Sequence, residues 1–147
     1  GKQVIGTGLY EYVSEIETAI HEFIKAVLKR THGDGEDGWW REAIPLDIRQ
    51  KCQGRREEDE DPSDDVFAYT DLIDLSKIIE KNWALFKDLV DPEYAQNRKR
   101  LLSDFVILNN IRKAVMHPVK CKQWTEDDYR FVREFRERFW HLDSVQH

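Results

Sequence analysis

This sequence is short of cysteine, glycine, proline and long apolar runs, and each shortage removes a class of protein. Cys52 and Cys121 are its only two cysteines. Two isolated thiols supply neither a disulfide framework nor a set of zinc ligands, so a reducing intracellular setting, cytoplasm or nucleus, is expected. No apolar run approaches the ~18 residues of a membrane-spanning helix, so no membrane partner is expected, and no secretory signal pattern opens the chain. Seven glycines and four prolines among 147 residues leave long stretches unpunctuated. No segment alternates apolar and polar residues as a half-buried strand would, and no internal repeat is present. Positive charge is in deficit too: the net charge of −6 argues against bulk binding to nucleic acid.

What remains is helix-forming. Charged residues make up 35% of the chain, hydrophobic residues 40% and aromatic residues 12%, enough for one sizeable core with solvated helix faces around it. The chain opens at Gly1-Lys2 rather than at Met, which points to a segment of a longer protein, with residues 1–8 a cloning remnant or flexible lead-in. Residues 9–142 read as a single helical domain and 143–147 as a tail.

Leu9, Val13, Ile16, Ile20, Phe23 and Val27 repeat at alternating steps of four and three, predicting a first helix over about 8–31 with one buried face. It runs into Thr31-His32-Gly33-Asp34-Gly35-Glu36-Asp37-Gly38, a loop by composition. The spacing of His32, Asp34, Glu36 and Asp37 matches neither an EF-hand nor a zinc motif, so no metal is assigned. Trp39 and Trp40 are expected to cap the core. Pro45 suits the first turn of a short helix that buries Leu46, Ile48 and Cys52. Seven of the nine residues 57–65 are acidic, a solvated loop. Leu72, Leu75, Ile79, Trp83, Phe86 and Val90 predict a helix that Thr70 or Asp71 caps. Asp91-Pro92 opens the next, expected to reach Met116. Thr125 with Asp128 forms a capping-box variant ahead of a last helix burying Val132, Phe135, Phe139 and Leu142. The fold class is therefore all-α: a helical bundle of four main helices plus one or two short ones.

Chemistry concentrates in Asn109-Asn110-Ile111-Arg112-Lys113-Ala114-Val115-Met116-His117-Pro118. Leu101, Phe105, Leu108 and Val115 share a helical face, and Arg112 falls in the middle of it. An unpartnered buried charge is costly, so Arg112 either has a structural partner or opens into a site. Pro118 pushes the residue before it out of the α region and ends the helix at Met116 or His117. That break releases His117 to turn toward the guanidinium. An always-charged arginine beside an imidazole that titrates near neutrality suits phosphate chemistry. The surrounding residues 97–123 carry Arg98, Lys99, Arg100, Arg112, Lys113, Lys120 and Lys122 against the single acid Asp104. Arg136 and His141 repeat the same spacing, but Arg136 lies off the apolar stripe of its helix.

An Arg followed, after four residues, by a His at the end of a late helix resembles the mark of HEPN domains, small helical bundles of nucleotide-binding and RNA-cleaving proteins. The likeness extends over Trp39-Trp40, Ile44-Pro45, Asp71-Leu72-Ile73-Asp74-Leu75, Asn82-Trp83 and Phe86 to a subgroup found in a nuclear transcript-surveillance endoribonuclease and in bacterial defence proteins. The resemblance implies a metal-independent endoribonuclease without a cofactor, cutting RNA to 2′,3′-cyclic phosphate ends through Arg112 and His117. It also implies a homodimer whose two motifs face each other, attached to other domains of a parent protein. Asn109, Lys113, Lys120 and Lys122 are then candidates for contacts with the RNA backbone. Many active members carry Asn, Asp or His where Lys113 stands. The alternative that the resemblance allows is an inactive dimerisation or adaptor domain that binds a partner protein.

Overall fold

The computed structural model describes residues 2–117 and 124–146, with side chains over 8–35, 37–117 and 124–139. Among the described residues there are helices and turns and no strands, so the all-α class holds. No described helix is long and apolar enough to cross a membrane. The helices are α1 (Lys2–His32), α2 (Arg41–Ala43), α3 (Leu46–Glu58), α4 (Leu72–Lys81), α5 (Trp83–Phe86), α6 (Pro92–Gln96), α7 (Arg98–Met116) and α8 (Glu126–Gln146). The chain divides into two compact units, one of residues 20–83 and one of residues 1–19 with 84–147.

In the unit of residues 20–83, the later part of α1 buries Ile20, Ile24, Val27 and Leu28. The buried stripe follows the 3.6-residue period onto Ile24 rather than the expected Phe23, which is half-buried. Gly33 ends α1 in the left-handed region (φ 88°), its N–H donating to the Lys29 carbonyl at 2.8 Å. The following turn, Glu36–Trp40, kinks at Gly38, where a Cβ would collide with the His32 carbonyl oxygen. The kink sends Trp39 and Trp40 inward. Trp39 meets Phe67 edge-on at 5.3 Å between ring centroids. Leu46 is 58% exposed, because α3 presents Ile48 and Cys52 to the core instead. The acidic loop is tied down at several points. The Tyr69 hydroxyl donates to Asp59 at 2.6 Å and accepts from the Ser63 N–H, and Lys25 pairs with Asp65 at 2.7 Å.

Two expected helices are each broken by an asparagine. Asn82 closes α4, its amide donating to the carbonyls of Ile78 (2.8 Å) and Ala43 (3.0 Å). Asn97 leaves helical geometry (φ −142°, ψ 78°), ends α6 and caps α7 by accepting from the Arg100 N–H at 3.2 Å.

In the unit of residues 1–19 and 84–147, Phe105 of α7 meets Phe135 of α8 edge-on at 5.6 Å, and Phe135 stacks on Phe139 at 5.7 Å. Burying each such ring contributes about 2–3 kcal/mol. A polar network ties α6, α7 and α8 together. The Tyr94 hydroxyl donates to Asp104 at 2.6 Å, and Arg138 lies over the Tyr94 ring at 5.3 Å and pairs with Glu93 at 3.3 Å. Burial, then the bond to Asp104, pushes the Tyr94 phenol far above its ordinary range. Thr125 and Asp128 form the expected reciprocal cap on α8, with bonds of 2.8 and 3.2 Å.

Candidate functional site

Helix α7 presents one face to the core and one to solvent. Leu101, Asp104, Phe105, Leu108, Asn109 and Ile111 are buried, while Ser103, Val106, Ile107, Asn110 and Lys113 are exposed. Arg112 belongs to the inner face, one turn after Leu108 and Asn109, near the end where the helix opens.

Arg112 has an acid partner. Its Nε donates to the Glu17 carboxylate of α1 at 2.8 Å. Both side chains keep some solvent contact, 30% for Arg112 and 17% for Glu17. The bond uses one of the five N–H groups of the guanidinium. Its two terminal nitrogens, Nη1 and Nη2, have no partner among the described residues. Asn109, one turn earlier, is 8% exposed, and its amide makes no hydrogen bond among the described residues.

His117 closes the helix. Helix α7 stops at Met116, and His117 is its C-cap (φ −132°, ψ 63°), the N–H donating to the Lys113 carbonyl at 2.9 Å. The residue is exposed. On an ideal helix it would sit about 140° round from Arg112. No hydrogen bond or ion pair joins Arg112 to His117, Lys113 or Asn109 among the described residues. Lys113 is exposed on the outer face. Lys120 and Lys122 lie outside the described residues, as does the Pro118 break. Of the second Arg/His pair, Arg136 packs over the Tyr12 ring at 5.4 Å, and the His141 side chain lies outside the described residues.

Glu17 is the participant that sequence reasoning missed. It had a signal: Val13, Glu17, Ile20 and Ile24 fall at steps of four, three and four, so an acid interrupts the apolar stripe of α1 as Arg112 interrupts that of α7.

A second charged cluster lies in the unit of residues 20–83. Asp74, 1% exposed, accepts from Arg55 Nη1 at 2.8 Å, from the Asp71 N–H at 3.0 Å and from Lys51 at 3.5 Å. Arg55 also donates to the Tyr69 carbonyl at 2.7 Å. Burial would raise the Asp74 carboxyl, but the Arg55 hydrogen bond, the Asp71 N–H and the nearby cations outweigh it and hold the group below the usual carboxylate range. Cys52 beside it is pushed up to about 11, by burial first and then by the Asp74 charge, and is an inert thiol at neutral pH. Among the described residues no group of three potential ligands is placed to hold a metal. The His32 Nε2 is buried without a hydrogen-bond partner among the described residues.

Scans against protein-family models, curated proteins and solved structures found no match to this chain. The site is therefore read from its own chemistry. A half-exposed guanidinium, anchored at one edge and open at the other, can receive an anion through two parallel N–H groups. A solvent-facing imidazole at the end of the same helix can move a proton if a second molecule brings it opposite such a guanidinium.

Proposed function

We propose that this chain is a HEPN-type domain that cleaves RNA without a metal, acting as a symmetric dimer. The reading rests on the anchored Arg112 with open Nη1 and Nη2, one turn before a helix end that carries an exposed imidazole. In this mechanism the 2′-hydroxyl of the RNA attacks the adjacent phosphorus. The 5′-oxygen leaves, and the products are a 2′,3′-cyclic phosphate and a 5′-hydroxyl. His117 of one protomer takes the proton from the 2′-hydroxyl, and its symmetry mate protonates the leaving oxygen. Arg112 neutralises charge gathering on the phosphoryl oxygens. A two-fold contact between copies of this helix would bring the two motifs to face each other and complete the site. The exposed apolar pair Val106 and Ile107 on the outer face of α7 supports such a contact. Asn109, Lys113, Lys120 and Lys122 would hold the RNA backbone.

One observation favours a second reading. The Arg112–Glu17 pair can be a purely structural charge pair, and an acidic adaptor domain that binds a partner protein would have the same one. Cleavage of labelled RNA in EDTA by wild type, Arg112→Ala and His117→Ala separates the two. Cutting to cyclic-phosphate ends, lost in both variants with helical circular dichroism unchanged, supports the ribonuclease. Equal inertness of all three, with RNA binding that does not respond to salt, supports the adaptor.

A further inference from the structure

We infer that Glu17 is a positioning residue for Arg112: it grips the guanidinium by Nε and so aims Nη1 and Nη2 at the phosphate. The inference rests on the ribonuclease reading above and adds a residue to it. An arginine has four side-chain torsions, and a guanidinium loose at a helix end spreads its charge over many directions. Here one bond of 2.8 Å fixes the edge of the plane. The carboxylate takes the N–H nearest the stem and leaves the two terminal nitrogens, the fork that matches two phosphate oxygens. Glu17 is 17% exposed and sits in an otherwise apolar stripe, so its own freedom to turn away is small. Glu17 meets the guanidinium at its side and makes no hydrogen bond to the terminal fork. The geometry is that of a support for the guanidinium, with its binding edge left open.

This assigns Glu17 an effect on cleavage that is separate from its effect on folding. Glu17→Ala removes the grip. Glu17→Gln keeps a side-chain oxygen that accepts from Nε, and so keeps the aim while discarding the charge. The expected result is a fall in kcat on the order of 10- to 100-fold for Glu17→Ala, with KM changed by about twofold or less, because misplaced groups lose rate more than binding. Glu17→Gln retains activity within about threefold and an unchanged melting temperature. Wild-type rates in Glu17→Ala would overturn the inference while leaving the ribonuclease reading in place. So would equal loss in both variants with intact folds, or faster cleavage on losing the acid.

A readout that needs no cleavage keeps the two proposals apart. In protein carrying 15N-arginine, a short 2′-O-methyl oligouridine, which cannot be cut, is titrated and the Arg112 signals are followed. Movement of the Nη signals with a stationary Nε–H, and movement of all of them in Glu17→Ala, upholds the aiming role even if the wild type proves unable to cut. Arg112 signals that ignore the oligonucleotide overturn it.

Discussion

Of the arginine–carboxylate pairs that join separate helices, Arg55–Asp74 and Arg112–Glu17 differ in how fully the carboxylate is used. Asp74 is 1% exposed and takes bonds from Arg55, Lys51 and the Asp71 backbone, while Arg55 also donates to the Tyr69 carbonyl and reaches Asp71 at 3.5 Å. The Asp74 carboxylate there is saturated by the protein itself. Arg112 and Glu17 share one bond, both keep contact with solvent, and the terminal nitrogens of the guanidinium are open among the described residues. A saturated carboxylate held away from solvent has nothing left to offer a ligand and serves the fold. An unsaturated pair of similar chemistry is where a ligand can be taken up.

The contrast predicts opposite phenotypes for truncating the two arginines. Arg112→Ala should lower RNA cleavage by about 10³-fold, the usual scale for removing a group that stabilises transition-state charge. Its thermodynamic cost should be about 1 kcal/mol, since both partners keep contact with solvent. Rates and urea melts on the same preparations test this. A melting loss as large as the activity loss would place Arg112 with the structural pair.

Arg55→Ala should do the reverse. It leaves a buried carboxylate short of its main partner, at a cost of about 3 kcal/mol, and leaves the cleavage rate of the folded fraction unaltered. Urea denaturation followed by circular dichroism measures the first, and initial rates well below the melting point measure the second. A neutral Arg55→Ala would mean that Lys51 and the Asp71 N–H suffice for Asp74.

The same network sets a pH dependence. Asp74 has a carboxyl held below its unfolded value of about 3.9. A depressed folded pKa contributes stability that is fully present above the unfolded value and is lost as pH falls through the folded one. Stability attributable to Asp74 should therefore be level from neutrality to about pH 4 and decline below it. Denaturant midpoints at several pH values for wild type and Asp74→Asn test this: the variant should begin less stable and show a shallower acid limb.

The fold was legible from the sequence wherever periodicity carried it. The steps from Leu9 to Ile20, from Leu72 to Ile79 and from Val132 to Phe139 all correspond to buried faces. The breaks were not legible. Asn82 and Asn97 end helices through side-chain bonds, one of them to a carbonyl 39 residues away, and an asparagine in a helical pattern is compatible with either outcome until that partner is in place. Leu46 was misplaced because the first turn of a helix can present either neighbour of its proline to the core. At the site, the central place of Arg112 in an apolar stripe and the end of α7 at Met116 were both readable. Its partner was not, because pairing an acid with a base 95 residues away requires knowing which helices touch. The interrupted stripe of α1 indicated that Glu17 needed a cation without saying which of the 23 lysines and arginines it would find.

Asn109 is the smallest and sharpest probe of the contrast. The residue is 8% exposed and its amide makes no hydrogen bond among the described residues, yet the amide atoms are not sealed from solvent, whereas Asp74 is bonded. If the amide serves only the fold, replacing it with a residue of similar volume removes bonds and destabilises. If it is held for a ligand, the apoprotein loses nothing and gains an apolar contact. Asn109→Leu should accordingly leave the melting temperature unchanged or raise it, by no more than the equivalent of about 1 kcal/mol. It should weaken binding of uncut RNA a few-fold, with the salt slope unchanged, because an amide contact releases no counterion. Paired melting and binding titrations decide it. A destabilised variant with normal binding would move Asn109 out of the site and leave Arg112 as the single open donor on the inner face of α7.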